Sequence, residues 1–401
     1  MREVELSTMV SGGCLDLKLL EEKWFLKVNH KQFEWATAWN NILQIALYQK
    51  GPEASEIGST WLENLNDMRA LRPFSISEIN SLGGEDAFLS NAWGKPGSVN
   101  TSSLNRTPAR PTSIPWFLDT RIVSYRRDLF DKARVNPSMA FNTPDSFYDA
   151  LCRLRDSGIE YPLVMATGGL SVHNLATWVW GRGGHFRSED FRRITLVEPD
   201  AQQGMYDFFR LHEFIDPATR GMNYTTTDEL YMAGKGAMLL GGSWVMKVIK
   251  SGDRRASAEV QQNTSFAIPP GIPYLGSTHL VIWRHTLHDQ EALQAIGHLV
   301  SPEVLWRIFE ETGNFPARIS ALEGEPFKSD PDYRLAAECL KRGRAFRSSR
   351  LWAGVEMRLN TLCDQLWIDL FANPGLDLRG EIERRVGELA TRLEKTLLAN
   401  W

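Results

Sequence analysis

What the 401-residue chain lacks narrows its function first. It has no run of about 18 apolar residues, so no segment reads as a membrane span. It has no basic excess: the formal net charge is −4, which argues against a nucleic-acid surface. Cysteine is scarce. Cys14, Cys152, Cys339 and Cys363 lie far apart with no C-x-x-C pair, and read as small buried hydrophobes, with a single disulfide as the alternative. The signatures G-x-S-x-G, H-E-x-x-H, G-x-x-x-x-G-K-[ST] and a post-strand G-x-G-x-x-G are all missing, so the reading is a non-enzyme without a cofactor. His173, His185 and His279 show no metal-ligand spacing and are read as structural, so no metal is expected. There is no repeat, coiled coil or low-complexity tract. Met1 runs straight into the strand-like Val4–Met9 with no basic-then-apolar leader. Two expectations follow: an exported protein whose signal has been removed, or one that works inside the cell.

What is present describes a globular α/β chain. Hydrophobic residues make up 43% and charged residues 23%, and the length suggests two domains. Strand-like and helical runs alternate, a pattern of parallel sheets covered by helices. Trp35–Tyr48 carries apolar residues at helical spacing. Thr143-Pro144-Asp145 opens a helix with a capping Thr and Pro at its first position. Thr225–Glu229 reads as another helix start, leading to Gly234-Lys235. Residues 84–113 are rich in Gly, Ser, Asn, Thr and Pro and read as loop. Fourteen tryptophans stand out. Buried indoles need partners for their N–H groups, so an aromatic-lined ligand cleft is expected rather than a core that collects them.

The most informative run is Tyr231-Met232-Ala233-Gly234-Lys235-Gly236-Ala237-Met238-Leu239-Leu240-Gly241-Gly242-Ser243-Trp244. It reads as a helix end passing into a short apolar strand that stops at two glycines. The glycines would let backbone amides approach a ligand, and the indole offers a flat face suited to a sugar ring. The run resembles the "GKAAM…G.W" segment of extracellular solute-binding proteins, the sugar-capturing subunits of ABC importers. Other segments fit the same family in the same order. Ile114–Phe130 is similar to a lobe-crossing strand, with Arg126 and Arg127 where the family has Asn and Lys. Trp178–Gly184 is similar to a "W…GG" element, and Phe266–Gly271 to "A-P-L-P-G". Leu275–Leu280 resembles a second crossing, with Gly-Ser in place of two glycines. Val300-Ser301-Pro302-Glu303 and Gly313–Arg318 complete the series.

The resemblance implies a two-lobed periplasmic-binding-protein-like fold of type II, with a ligand cleft between lobes joined by a multi-strand hinge. Crossings are expected near 117–120, 275–279 and 345–350. The N-lobe would hold 1–117 and 279–345, the C-lobe 118–278 and 346–401. The implied partners are a sugar ligand and the membrane subunits of an ABC importer, with no nucleic acid, and a monomer. The implied place is periplasmic, or extracellular and membrane-anchored.

Sugar capture needs aromatics for C–H faces and planar polar groups for hydroxyls. The resemblance places Trp61, Trp244 and Trp352 as aromatic contacts. At most one of Trp178 and Trp180 should join them, since i and i+2 face apart on a helix; Trp178 is the candidate. The polar candidates are Glu63 and Asn64 beside Trp61, Asp119 and Arg121 on the first crossing, and Ser277 and Thr278 on the second. Gly242, and Gly12 in the loop Ser11-Gly12-Gly13, complete the set. Each aromatic has core packing as its alternative, and Asp119 has an ion pair with Arg121. Two other functions stay open: a sugar-sensing ligand-binding domain of a signalling or regulatory protein, working inside the cell or fused to a signalling partner, and a glycoside hydrolase using two carboxylates in a Trp-lined cleft.

Overall fold

The computed structural model describes residues 2–93, 110–169, 171–346, 349 and 351–399. Much of the 84–113 excursion and part of the 345–350 crossing lie outside them. The strands are β1 (Arg2–Thr8), β2 (Leu26–Gln32), β3 (Ala54–Gly58), β4 (Ile114–Arg126), β5 (Leu163–Met165), β6 (Met238–Gly242), β7 (Thr264–Ala267), β8 (Leu275–Ile282) and β9 (Phe315–Pro316). The chain divides into two compact units. The first holds Met1–Asp119, Gly276–Asp330 and Ala345–Ala353; the second holds Thr120–Leu275, Pro331–Arg344 and Gly354–Trp401. The divisions fall inside β4 and β8, the two strands whose sequence resembles lobe crossings.

In the first unit the strand order is β2-β1-β3-β8, with β1 parallel to β2 and β3 and β8 antiparallel to β3. The sheet is therefore mixed, where alternation of strands and helices suggested a parallel one. β2 is an element missed in the sequence. The sequence Leu15–Leu26 reads as one helix, but the helix is Leu17–Trp24 and stops at Phe25, whose φ of 53° breaks the helical path. The helix Trp35–Tyr48 covers the sheet, burying Ala38, Ile42 and Ile45 against Ile57, Leu65, Val281 and Trp283.

In the second unit β4 is flanked by β6 and β7, both antiparallel to it, and β5 runs parallel to β6. The helices Val172–Gly181 and Pro199–Phe209 pack together over Trp178 and Phe208. Residues 331–344 belong to this unit although the family pattern places them in the N-lobe. Lys250 anchors them, with Nζ 2.5 Å from Asp332 Oδ2 and over the Tyr333 ring. Arg344 then pairs its backbone with Pro273 and Leu275.

The tryptophans correct another expectation. Among the described residues, seven tryptophans are buried: Trp93, Trp116, Trp178, Trp180, Trp283, Trp352 and Trp367. The fold supplies acceptors for three of them, Glu85 O for Trp93, Leu299 O for Trp116 and Ser55 Oγ for Trp283, whereas the indole N–H groups of Trp178 and Trp367 are buried without a hydrogen-bond partner and are held by ring packing. All four cysteines are free thiols. Among the described residues no helix is long and apolar enough to cross a membrane, and no group of three or more His, Cys, Asp or Glu side chains is placed to hold a metal.

Candidate functional site

The second unit builds an aromatic and charged cluster around Trp244. The β4–β6 register sets Arg121 opposite Gly242, and Trp244 follows two residues later. Gly241 and Gly242 lie within β6 rather than after it. A Cβ on Gly242 would come within 2.0–2.3 Å of three atoms of the Trp244 ring. The glycine thus makes room for the chain's own indole, which lies flat on the strand, rather than for a ligand at the backbone.

The ring's edge is fixed from the helix Tyr224–Met232. Tyr224 and Asp228 stand four residues apart, on one helical face, and both reach Trp244. Tyr224 meets it edge-on at 5.9 Å and 87°, and Asp228 Oδ2 accepts the indole N–H at 2.7 Å. Burial pushes the Asp228 carboxyl up to about 7; the Trp244 hydrogen bond and Arg121 oppose the rise. Its other oxygen, Oδ1, has no hydrogen-bond partner. Arg121 is 3% exposed, and its guanidinium lies 4.7, 5.4 and 5.3 Å from the ring centres of Tyr224, Trp244 and Tyr274. Such contacts gain strength when desolvated.

A polar relay continues from Arg121. Its Nη2 faces His173 Nδ1 at 3.4 Å, and His173 Nε2 lies 2.7 Å from Glu356 Oε1. Arginine only donates, so Nδ1 accepts and Nε2 carries the hydrogen given to Glu356. The imidazole stacks on Tyr274 at 4.4 Å. Asn360, one turn after Glu356, accepts the Val172 N–H at the head of the helix bearing His173.

The first unit holds a second aromatic surface. Trp61 packs against Trp35 and Trp39 with ring centres 5.9 and 5.4 Å apart, and Trp35 is 50% exposed. Glu63 accepts from Asn66 at 3.3 Å, and burial raises its carboxyl. Asn64 Oδ1 is buried with no hydrogen-bond partner. Asp119 is half-buried and lies against Gly276, where a Cβ would fall 1.9 Å from its Oδ1. Ser277 sits 3.3 Å from His279 Nε2, and Ser113 Oγ 2.9 Å from Nδ1. Burial drives that histidine's pKa down to about 4. Thr278 is half-buried on β8, and Gly12 opens the turn Gly12–Leu15 beside His30.

Two expected contacts belong to the core instead. Trp178 is 0% exposed, edge-on to Phe147 at 5.5 Å. It lies on the inward face of its helix, where eight of ten residues are buried. Trp352 is 1% exposed and packs on Phe346 at 4.8 Å. The sequence also hid several members of the Trp244 cluster. Asp228 was read into a helix start, but Asn223 is the cap, accepting from Thr226 N, and that places Asp228 one turn further in. The i, i+4 pairs Tyr224/Asp228 and Glu356/Asn360 are the signals that point to these residues. His173 reads as structural until Glu356 is found beside it.

The family model of bacterial extracellular solute-binding proteins matches residues 33–305, more than half of the chain. This chain belongs to that family. A search of curated proteins returns no match. Solved structures of solute-binding proteins share the fold over nearly the full length. An ABC transporter solute-binding protein from Thermotoga lettingae, bound with α-D-tagatose, matches with TM-score 0.82 and 18% identity, over 99% of this chain and 100% of that one. The sugar-binding protein MalE from Xanthomonas citri matches at 0.79 and 17%, over 99% and 98%. The GacH receptor of Streptomyces glaucescens, solved unliganded and with acarbose, matches at 0.79 and 14%, over 97% and 98%. Among the described residues of this solute-binding protein, Trp244 and Trp61 each stand in a cluster of aromatic and polar side chains.

Proposed function

We propose that this solute-binding protein captures a neutral mono- to oligosaccharide and delivers it, unaltered, to the membrane subunits of an ABC importer. It would do so as a monomer in the periplasm or at the outer face of the cell membrane. The observation that carries the reading is the mounting of Trp244: a half-buried tryptophan, immobilised at its N–H by Asp228 and bounded by the ring of Tyr224 and the guanidinium of Arg121. A fixed flat aromatic face suits the C–H face of a pyranose, and its rigidity limits the ordering cost of binding. The sugar ligands named for the Thermotoga lettingae and Streptomyces glaucescens proteins support the same class.

Trp61, with Glu63 and Asn64, and Asp119 with Ser277 and Thr278, are proposed as sugar contacts from the first unit. Arg121 and Gly242 are proposed to act by holding Trp244 in place. The test is a thermal-shift and calorimetric panel of glucose, D-tagatose, maltose, maltotriose and chitobiose beside amino acids, polyamines and metal ions. Stabilisation by sugars alone is expected, with no new product on chromatography after incubation. A panel in which only the non-sugars bind overturns the reading. Release of shorter sugars from maltotriose removes the unaltered part of it.

A further inference from the structure

Asp228 is a buried carboxylate that accepts the Trp244 indole N–H at 2.7 Å. Its second oxygen has no hydrogen-bond partner, although the residue is only 5% exposed. Burying a carboxylate with one oxygen unmet is unfavourable, and nothing in the helix Tyr224–Met232 needs it, since Asn223 caps that helix. The neighbouring strand is shaped to admit it: a Cβ on Gly241 would stand 3.3 Å from Asp228 Oδ1. The charged groups that bear on it are Arg121 from β4 and Glu229 from its own helix.

The indole, for its part, is held on three sides. Gly242 lies under one face, Tyr224 meets an edge, and Asp228 takes the N–H. Of these, only the Asp228 bond is directional enough to fix how the ring is turned within its plane.

We propose that Asp228 is a positioning residue for sugar capture, setting the orientation of Trp244 through the indole N–H and so tuning affinity without touching the sugar. This rests on the sugar-binding reading above. Affinity for maltose, or for the tightest-binding sugar of the panel, is measured by calorimetry. Asp228→Leu removes the acceptor and should weaken binding by about tenfold or more, the scale of a lost hydrogen bond to a charged group. Asp228→Asn keeps an acceptor of the same shape and should lose about threefold, a partial rescue.

Trp244→Phe supplies the second arm, since it keeps an aromatic face but has no N–H to orient. In that background Asp228→Asn should leave affinity unchanged, whereas a general structural role would cost the same in both backgrounds. Equal losses in the two backgrounds, or unchanged affinity in Asp228→Asn and Asp228→Leu proteins that fold, overturn the proposal. If Trp244→Ala itself leaves sugar affinity intact, the placement of Trp244 at the sugar fails, and this inference with it. If it weakens binding while the Asp228 variants do not, only this inference fails.

Discussion

Trp61 and Trp244 are the same residue in two kinds of mounting. Trp61 rests on aromatic and aliphatic neighbours: Trp35, Trp39 and the core under the helix Trp35–Tyr48. Trp244 is suspended in charge, with Arg121 near its face and Asp228 at its N–H. Packing without directional bonds tolerates small rotations, whereas a hydrogen-bonded ring has one favoured setting. The first surface should therefore accept variation in what it contacts, and the second should discriminate. The two units also differ in how each holds a buried carboxylate. Glu56 in the first unit takes the backbone N–H groups of Met9 and Val10 together with the Thr278 side chain, while Asp228 takes the Trp244 indole N–H.

The contrast presupposes that both rings differ from the core tryptophans, and the largest expected effect tests that. Trp178→Ala should cost about 3–5 kcal/mol of stability, the range for a buried aromatic truncated to a cavity, with sugar affinity unchanged in the folded protein. Denaturant unfolding and calorimetry together check it. A loss of affinity at constant stability would return Trp178 to the site.

The buried carboxylates give the next largest effect. Burial raises Glu56 from 4.5 to about 7 and Asp228 from 3.8 to about 7. With the folded-state pKa above the unfolded one, the native protein holds more protons between these values. Each group's stabilising contribution is thus full at acid pH and is lost as pH rises toward 7. Glu56→Gln, neutral at every pH, should remove one share of that slope, on the order of 3 kcal/mol between pH 4.5 and 7. Unfolding curves across this range measure it. An unchanged slope would show that Glu56 stays ionised on its backbone donors, and the two carboxylates would no longer be alike in titration.

Affinity separates the two mountings. Trp244→Ala should weaken sugar binding by about 1–3 kcal/mol, the scale of a lost stacking face and its buried area. Asp119 probes the first unit's polar side. Held against Gly276, it presents a carboxylate acceptor, and Asp119→Ala should cost about 1.5–3 kcal/mol of affinity, with Asp119→Asn losing less. A fall in melting temperature with intact affinity, in either alanine variant, would assign that residue to the structure rather than the site.

The fold was legible because it rests on patterns that sequence displays. The helix Trp35–Tyr48 follows from 3.6-residue spacing, and β4 and β8 from ordered motifs that match a family. β2 was hidden because its residues, Leu26–Gln32, are largely polar on an edge strand and carry little alternation. The site was legible only in part. Trp244 and Arg121 stand in recognisable motifs, but a tryptophan's letter does not say whether its indole is covered. Trp178 and Trp352 became buried through contacts with Phe147 and Phe346, distant in sequence or set beside a turn. Asp228 and Glu356 carry no motif: Asp228 gains its role from the indole that follows the next strand, and Glu356 from His173 on a helix far away in sequence.

The smallest expected effect asks how far the first unit's aromatic surface extends. Trp35 is half-exposed and tilted at 57° against Trp61. It sits at the first turn of its helix, where its removal leaves the cluster beneath largely in place. Trp35→Ala should therefore barely change stability. If Trp61 takes one sugar ring, Trp35 is placed to take part of the next, a contact worth about 0.5–1.5 kcal/mol. Maltotriose binding should weaken by that amount, while glucose binding stays unchanged. Parallel titrations with glucose, maltose and maltotriose read the difference. Equal losses for all three would make Trp35 a support for Trp61 and confine the adaptable surface to a single ring. No loss for any would leave Trp244 as the aromatic face that carries binding.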